Sequence, residues 1–375
     1  MSSKQHLVLY IGHPFDLAFF LRLIPLINTE KRFFVTAIVA RGNFFRDMDR
    51  LGDILTDIAD NKILIPMDKI PGYGKNLFRG MKNTLYVKRL IRGLDKRRSV
   101  LISVDKSQFI ANYLNSHFNK TILIQTENTL DLGEDYKPAY LRILWYNLVN
   151  ILSGSNLVWL MHNRRSSGHM WHYTVLNSRA IEFYITDNKT VGNRISLPEV
   201  CSGKKSGKVL IFGNRFNDWK FISGKREEIR KRIFEFYRNL KDSFCGHTFY
   251  YKPHPRERGS EYAEIDSIFN GRLIDVGINL NAELFLVEND DIEYCFSLGS
   301  TSSRSAYEMG FSSKVFYKRL GFEPAIKKVF DEIFHEMPKG FWVEDINEIN
   351  RPLRKQTTDK YVAKIMGTLN ELSCM

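Results

Sequence analysis

Short, continuous apolar runs alternate with longer stretches of helical period along most of the chain. His6 to Ile11 reads as a first strand, followed by the turn Gly12-His13-Pro14-Phe15-Asp16 and an apolar helix from Leu17 to Ile27. Phe33 to Ala40 is apolar without alternation, as expected of a strand covered on both faces. A helix over Leu51 to Ala59 leads to a strand at Lys62 to Pro66. Two more strands, Val100 to Val104 and Thr121 to Gln125, flank a helix near Gln108 to His117. Strand and helix in alternation predict a mostly parallel sheet. Ala139 to Leu152 reads as an aromatic-rich helix, and the stretch from Asn156 to Pro198 as a loop with two short strands.

The pattern then restarts. Val209 to Phe212 is a strand with Gly213 directly behind it, and Gly224 to Leu240 a strongly charged surface helix. A strand at His247 to Lys252 precedes a helix at Glu261 to Phe269, a short strand at Arg272 to Asp275 and a helix at Asn281 to Glu288. Ile292 to Leu298 is a strand ending at Gly299-Ser300-Thr301-Ser302-Ser303, with a helix over Arg304 to Met309 and a strand at Lys314 to Tyr317. Thr358 to Leu372 is the last helix. A strand, a glycine-containing turn and a helix is how a Rossmann-like domain begins, and it occurs twice. The fold class predicted is α/β, with two Rossmann-like domains facing a central cleft. The domains are 1–198 and 209–355, joined by a small basic linker at 199–208, with a C-terminal helix at 356–375 packing back on the first domain.

Composition adds a partner class. With 375 residues and 43% hydrophobic content there is apolar material for two cores. The formal net charge of +13 calls for an anionic substrate, an anionic membrane surface or nucleic acid. Charge concentrates between Lys75 and Arg98, where Lys75, Arg79, Lys82, Lys88, Arg89, Arg92, Lys96, Arg97 and Arg98 face a single acid, Asp95. Tyr73, Leu77, Phe78, Met81, Leu85, Tyr86, Leu90 and Ile91 are interleaved, which suits either an anionic bilayer or a solvated helix whose other side is core. No helix-turn-helix, zinc or RNP-type pattern accompanies the charge, which argues against nucleic acid. Cys201, Cys245, Cys295 and Cys374 show no CxxC spacing, so reduced thiols are expected. His162, His169 and His172 lack HExxH or HxH spacing and read as ordinary polar surface. No signal peptide is expected, and there is no run of about 18 apolar residues. The expected location is cytoplasmic, peripheral at the inner face of the membrane.

Two motifs carry candidate chemistry. The strand Phe249-Tyr250-Tyr251 ends in Lys252-Pro253-His254-Pro255-Arg256-Glu257. The two prolines hold His254 extended at a strand end, with cationic side chains on both sides. Gly299 to Ser303 places glycine and four hydroxyls before a helix, where capping groups and free N–H groups favour an anion. Two anion-friendly strand ends in one domain point to a shared phosphate site. Glu308, within two turns of the serines, is a candidate for ribose hydroxyls, and Gly213 for close backbone approach to the same ligand. His13 and Asp16 are acceptor-side candidates in the first domain. No Walker A, GxGxxG or GxSxG motif is present.

The run from 249 to 257, with the serine run at 297–310 and the two-domain layout, resembles the GT-B glycosyltransferases that use CMP-activated acidic sugars. The nearest resemblance is to bacterial sialyltransferases, including capsule polysialyltransferases. It implies an N-terminal acceptor-binding domain and a C-terminal nucleotide-sugar-binding domain. His254 would contact the CMP phosphate and help the nucleotide depart. Ser302 and Ser303 would contact donor phosphate or carboxylate, with Ser300, Thr301, Gly299, Lys252, Pro255 and Arg256 around them. The family's base lies in an acidic-acidic-glycine motif. Here the corresponding strand runs into Gln125-Thr126-Glu127-Asn128-Thr129-Leu130-Asp131, which departs from it; Glu127 is the best positional match and Asp131 the next. No convincing metal-binding DxD is present, and one donor phosphate needs less of a metal clamp, so no metal or other cofactor is expected. The expected partners are a CMP-sugar donor and a glycan acceptor. The implied activity is inverting, metal-independent transfer of a sialic-acid-like sugar to lipopolysaccharide, lipooligosaccharide or capsule. The alternatives are a CMP-Kdo, CDP-glycerol or UDP-sugar donor, or a non-catalytic basic protein binding glycan or membrane.

Overall fold

A computed structural model describes residues 4–12, 14–40, 48–65, 85–104, 109–124, 136–163, 171–176, 180–184, 201–203, 206–214, 226–254, 257, 259–278, 280–335, 337–353 and 360–374. The chain divides into two compact units, one of residues 1–195 with 358–375 and the other of 196–357.

The first unit contains β1 (Gln5–Ile11), α1 (Pro14–Ile27), β2 (Phe33–Ala40), α2 (Met48–Thr56), β3 (Asn61–Ile65), β4 (Val100–Ser103), α3 (Phe109–Asn115) and β5 (Lys120–Leu123). Beyond these lie β6 (Tyr136–Pro138), α4 (Tyr140–Ser153), β7 (Leu157–Asn163), β8 (Trp171–Leu176) and β9 (Ile181–Tyr184). The main sheet has the order β3-β2-β1-β4-β5-β9, with every pairing parallel. Leu7 to Leu9, Ala37 to Val39 and Leu101 and Ile102 have essentially no exposed surface, because helices cover both faces of the sheet. At its foot, the His6 ring bonds Thr36 Oγ1 at 2.8 Å and Ser99 Oγ at 2.9 Å. Lys120 donates to the Leu372 carbonyl of the C-terminal helix, Lys360–Cys374, at 2.9 Å.

Among the described residues, the stretch expected to hold two strands holds three. β7 and β8 join β6 in a separate antiparallel sheet, while β9 extends the parallel one. Half-buried strands are weak signals. Val158 and Leu160 are buried against Ile143 and Tyr146 of α4, while Trp159 between them faces outward.

The second unit contains β10 (Lys208–Phe212), α5 (Arg226–Ser243), β11 (Thr248–Lys252), α6 (Gly259–Ile268), β12 (Ile274–Asp275), α7 (Ala282–Glu288), β13 (Tyr294–Ser297), α8 (Thr301–Glu308), β14 (Ser312–Val315) and α9 (Pro324–Ile333). Its sheet has the order β12-β11-β10-β13-β14 and is wholly parallel. α5 is polar on average yet buries Ile229, Ile233, Phe236, Tyr237 and Leu240, which recur at helical spacing on one side. The segment entering this unit is bonded down onto it: the Cys201 N–H donates to the Met309 carbonyl and the Ser202 N–H to the Asp290 carbonyl.

Candidate functional site at the switch point of the second unit

In a sheet of this order the chain leaves β10 toward β11 on one side and lies beside β13 on the other. The crevice above their carboxyl ends is the topological switch point, where open α/β sheets take ligands. Three segments end there: Phe212-Gly213-Asn214 after β10, Pro253-His254 after β11, and Leu298-Gly299-Ser300 after β13.

The loop after β11 is held by an acid. One oxygen of Glu257 accepts from the Tyr251 hydroxyl at 2.6 Å, and the other from the His254 N–H at 2.8 Å. The Glu257 N–H in turn donates to the His254 carbonyl at 2.8 Å, closing a tight turn. Burial pushes the Glu257 carboxyl up to about 7, and the neighbouring Glu261 adds to this. The two hydrogen bonds and the Lys252 ammonium pull the other way without offsetting the loss of water. Gly213 is what lets this carboxylate reach the end of β10. A Cβ on Gly213 would lie under 2.5 Å from Glu257 Oε2, and 2.9 Å from the His254 nitrogen. The Gly213 N–H donates to the Lys252 carbonyl at 2.8 Å, which ties the two strand ends together. Lys252 itself is 5% exposed, and its ammonium donates to the Pro253 carbonyl at 2.7 Å.

The loop after β13 is built around Ser297. Its hydroxyl accepts from the Ser300 N–H at 2.9 Å and from the Ser303 hydroxyl at 2.7 Å. Ser300 is the N-cap of α8, its hydroxyl accepting from the Ser302 N–H at 3.3 Å. The helix therefore starts at Thr301, three residues earlier than expected, because a serine in extended conformation already closes its first turn. Gly299 packs against the Phe330 ring, which a Cβ would meet at 2.6 Å. Further along α8, Arg304 donates to Glu308 at 3.0 Å and to the Ile333 carbonyl at 3.3 Å, fixing the helix against α9. The first-turn N–H groups and the partial positive charge of α8 face the end of the sheet.

Gly213, Lys252, His254, Gly299, Ser300, Thr301 and Ser302 thus gather at one end of one sheet. Of the four hydroxyl residues, Thr301 is exposed and Ser300 and Ser302 are half-buried, whereas Ser303 is fully buried and directed at Ser297. Glu308 is buried and paired with Arg304. In the first unit, Asp16 is buried and accepts from the Gly12 N–H at 2.9 Å, shaping the turn after β1. His13, Glu127, Asp131, Pro255 and Arg256 lie outside the described residues. Among the described residues no group of three or more His, Cys, Asp or Glu is placed to hold a metal ion. Sequence reasoning passed over Glu257 and Ser297. Glu257 stood two residues beyond the second proline, and an acid following a rigid turn was the available signal. Ser297 is the last residue of its strand and had none.

No protein-family model matches this chain, and no curated protein matches it by sequence. Solved structures do. A Listeria monocytogenes protein assigned as a UDP-N-acetylglucosamine 2-epimerase aligns over 98% of this chain and 96% of its own, with a TM-score of 0.50 and 11% identity. An α/β-galactoside α-2,3-sialyltransferase of Photobacterium phosphoreum aligns over 93% and 98%, with a TM-score of 0.43 and 11% identity. The ADP-heptose lipopolysaccharide heptosyltransferase II of Escherichia coli aligns over 98% of both, with a TM-score of 0.39 and 10% identity. Two parallel-sheet α/β units in series, with sheet orders 3-2-1-4-5-6 and 3-2-1-4-5, make this a GT-B fold.

Proposed function

We propose that this protein is a glycosyltransferase that binds a nucleotide-sugar at the switch point of its second unit and transfers the sugar to a glycan. The observation that supports the reading is that His254 and the Gly299-Ser300-Thr301-Ser302 start of α8 follow the two strands that flank β10, at the same end of one parallel sheet. That pairing offers N–H, hydroxyl and imidazole donors to one phosphate. Donors fixed before the reaction stabilise charge as it develops on a leaving phosphate. His254 would assist departure of the nucleotide. Ser297, Ser303 and Glu257 would hold these donors in place, and Glu308 would be the acid for the ribose hydroxyls. A carboxylate of the first unit, Glu127 or Asp131, would take the acceptor hydroxyl's proton. The donor that the resemblance implies is a CMP-linked sialic-acid-like sugar, transferred with inversion and without a metal to a surface glycan.

A UDP-sugar donor is the second reading. It is favoured by the nucleotide named for the epimerase whose fold aligns over almost the whole of both chains. A thermal-shift series with CMP, CDP, UDP and GDP separates the two, because a ligand bound only by the native state raises its melting temperature. Donor hydrolysis and transfer assays follow with the nucleotide that shifts most. Nucleotide binding without turnover on any donor would leave a binding protein on a glycosyltransferase scaffold. Full activity in His254→Ala would remove the leaving-group role.

A further inference from the structure

α4 is apolar on two opposite sides. Ile143, Tyr146 and Val149 are buried against the unit, while Leu141 is 86% exposed, Leu144 71%, Ile151 64% and Leu152 51%, with Leu148 and Tyr140 also exposed. On a helical wheel these outward residues form one uninterrupted face. The Tyr140 ring packs edge-on against Trp159 of β7, so two amphipathic rings stand at its amino end. An apolar face of this extent on a soluble unit marks a binding surface.

Charge identifies the occupant. From Ala139 to Trp159 the chain has no acidic residue. Val149, on the inner side of α4, shares a core cluster with Val87 and Ile91. Those two residues anchor the short helical segment 85–90, whose outer side carries Leu85, Lys88 and Arg89, followed by exposed Arg92, Arg97 and Arg98. A leucine-rich face in a stretch without acids, with amphipathic rings at its amino end, in a unit whose 85–98 segment exposes cations, suits an anionic bilayer surface. Fourteen residues of helix measure about 21 Å, too short for a hydrocarbon core of about 30 Å. Among the described residues no helix is long and apolar enough to cross a membrane. We infer that the outward face of α4 lies in the headgroup region of an anionic membrane, with the 85–98 segment supplying the electrostatic attraction. This holds whichever nucleotide the second unit binds.

The test is flotation of the full chain with phosphatidylcholine vesicles, and with vesicles that also contain phosphatidylglycerol, at low and high salt. The protein should float with the anionic vesicles, and salt should release much of it. Each leucine changed in Leu144→Gln/Leu148→Gln should weaken partitioning about tenfold, since burying one leucine is worth about 1.5 kcal/mol or more. Arg89→Glu/Arg92→Glu should abolish the preference for anionic over neutral vesicles. Both variants should melt like the parent. If the leucine variant did not fold, the arginine variant and the salt series would still decide. Absence of flotation, equal binding to both vesicle types, or unchanged binding of the folded leucine variant would overturn the inference. So would a parent dimer in vesicle-free sedimentation that the leucine changes dissociate, which would make this face a contact between two copies.

Discussion

Glu257 is the residue whose energetics the structure specifies most fully. Its carboxyl is raised from 4.5 to about 7 by burial, while both oxygens accept hydrogen bonds. A carboxyl whose folded-state pKa lies above its unfolded value stabilises the fold fully below the unfolded value. That stability is lost as pH rises through the folded value. For pKa values of 4.5 and about 7, the loss between about pH 5 and about pH 8 is about 2.5 kcal/mol. Glu257→Gln removes the titration. Its amide oxygen can accept from the His254 N–H while its NH2 donates to the Tyr251 hydroxyl, so at low pH, where the parent carboxyl is neutral too, the two proteins should be of similar stability. As pH rises the parent should fall below the variant, losing about 2.5 kcal/mol relative to it between about pH 5 and about pH 8. In a unit of this size that is roughly 5–10 °C in melting temperature. The assay is thermal denaturation of both proteins across the pH range, comparing only their difference so that other titrations cancel. A gap that stays constant from about pH 5 to about pH 8 would refute the placement of Glu257 as a half-buried, hydrogen-bonded carboxyl.

Gly213→Ala should cost about 1–3 kcal/mol, because its Cβ would collide with the His254 nitrogen and the Glu257 carboxylate; calorimetry should show the loss, and a nucleotide titration a weaker site. Ser297→Ala strips the Ser300 N–H and the Ser303 hydroxyl of their shared acceptor and should cost about 1–3 kcal/mol, with Ser297→Thr recovering part of it. Arg304→Met leaves Glu308 as a buried charge and should cost about 3–5 kcal/mol, while Arg304→Met/Glu308→Leu should recover most of that in denaturant titrations. Burial lowers the His6 pKa below 6.5 despite opposing attraction from Asp95 and Asp60. The unfolded chain therefore takes the proton first, and the first unit should lose stability as pH falls through 6.5. An NMR titration placing the His6 midpoint at or above 6.5 would contradict this.

Local residue pattern was enough to dictate the alternation of buried strands and helices in both halves. Continuous apolar runs such as Leu7 to Ile11 and Val209 to Phe212 need cover on both faces, and only a parallel sheet between helix layers supplies it. It also determined that the strands before Pro253 and Gly299 end in groups suited to an anion, because proline, glycine and capping serines act through their own backbone. Tertiary structure decided what those groups touch. Ser303 looks like its neighbours in sequence, yet the turn of α8 points it at Ser297 and leaves Thr301 and Ser302 outward. Glu257 looks like a charge in a surface loop until β10 and β11 pair in register and Gly213 admits its carboxylate. α4 reads as an aromatic-rich helix from its sequence, and only the packing of the sheet beside it reveals that one apolar side remains uncovered. Backbone preference and hydrophobic period act within a few residues, so one chain segment displays them. Which side of a helix is left bare, and which buried acid meets which N–H, depends on partners distant in sequence.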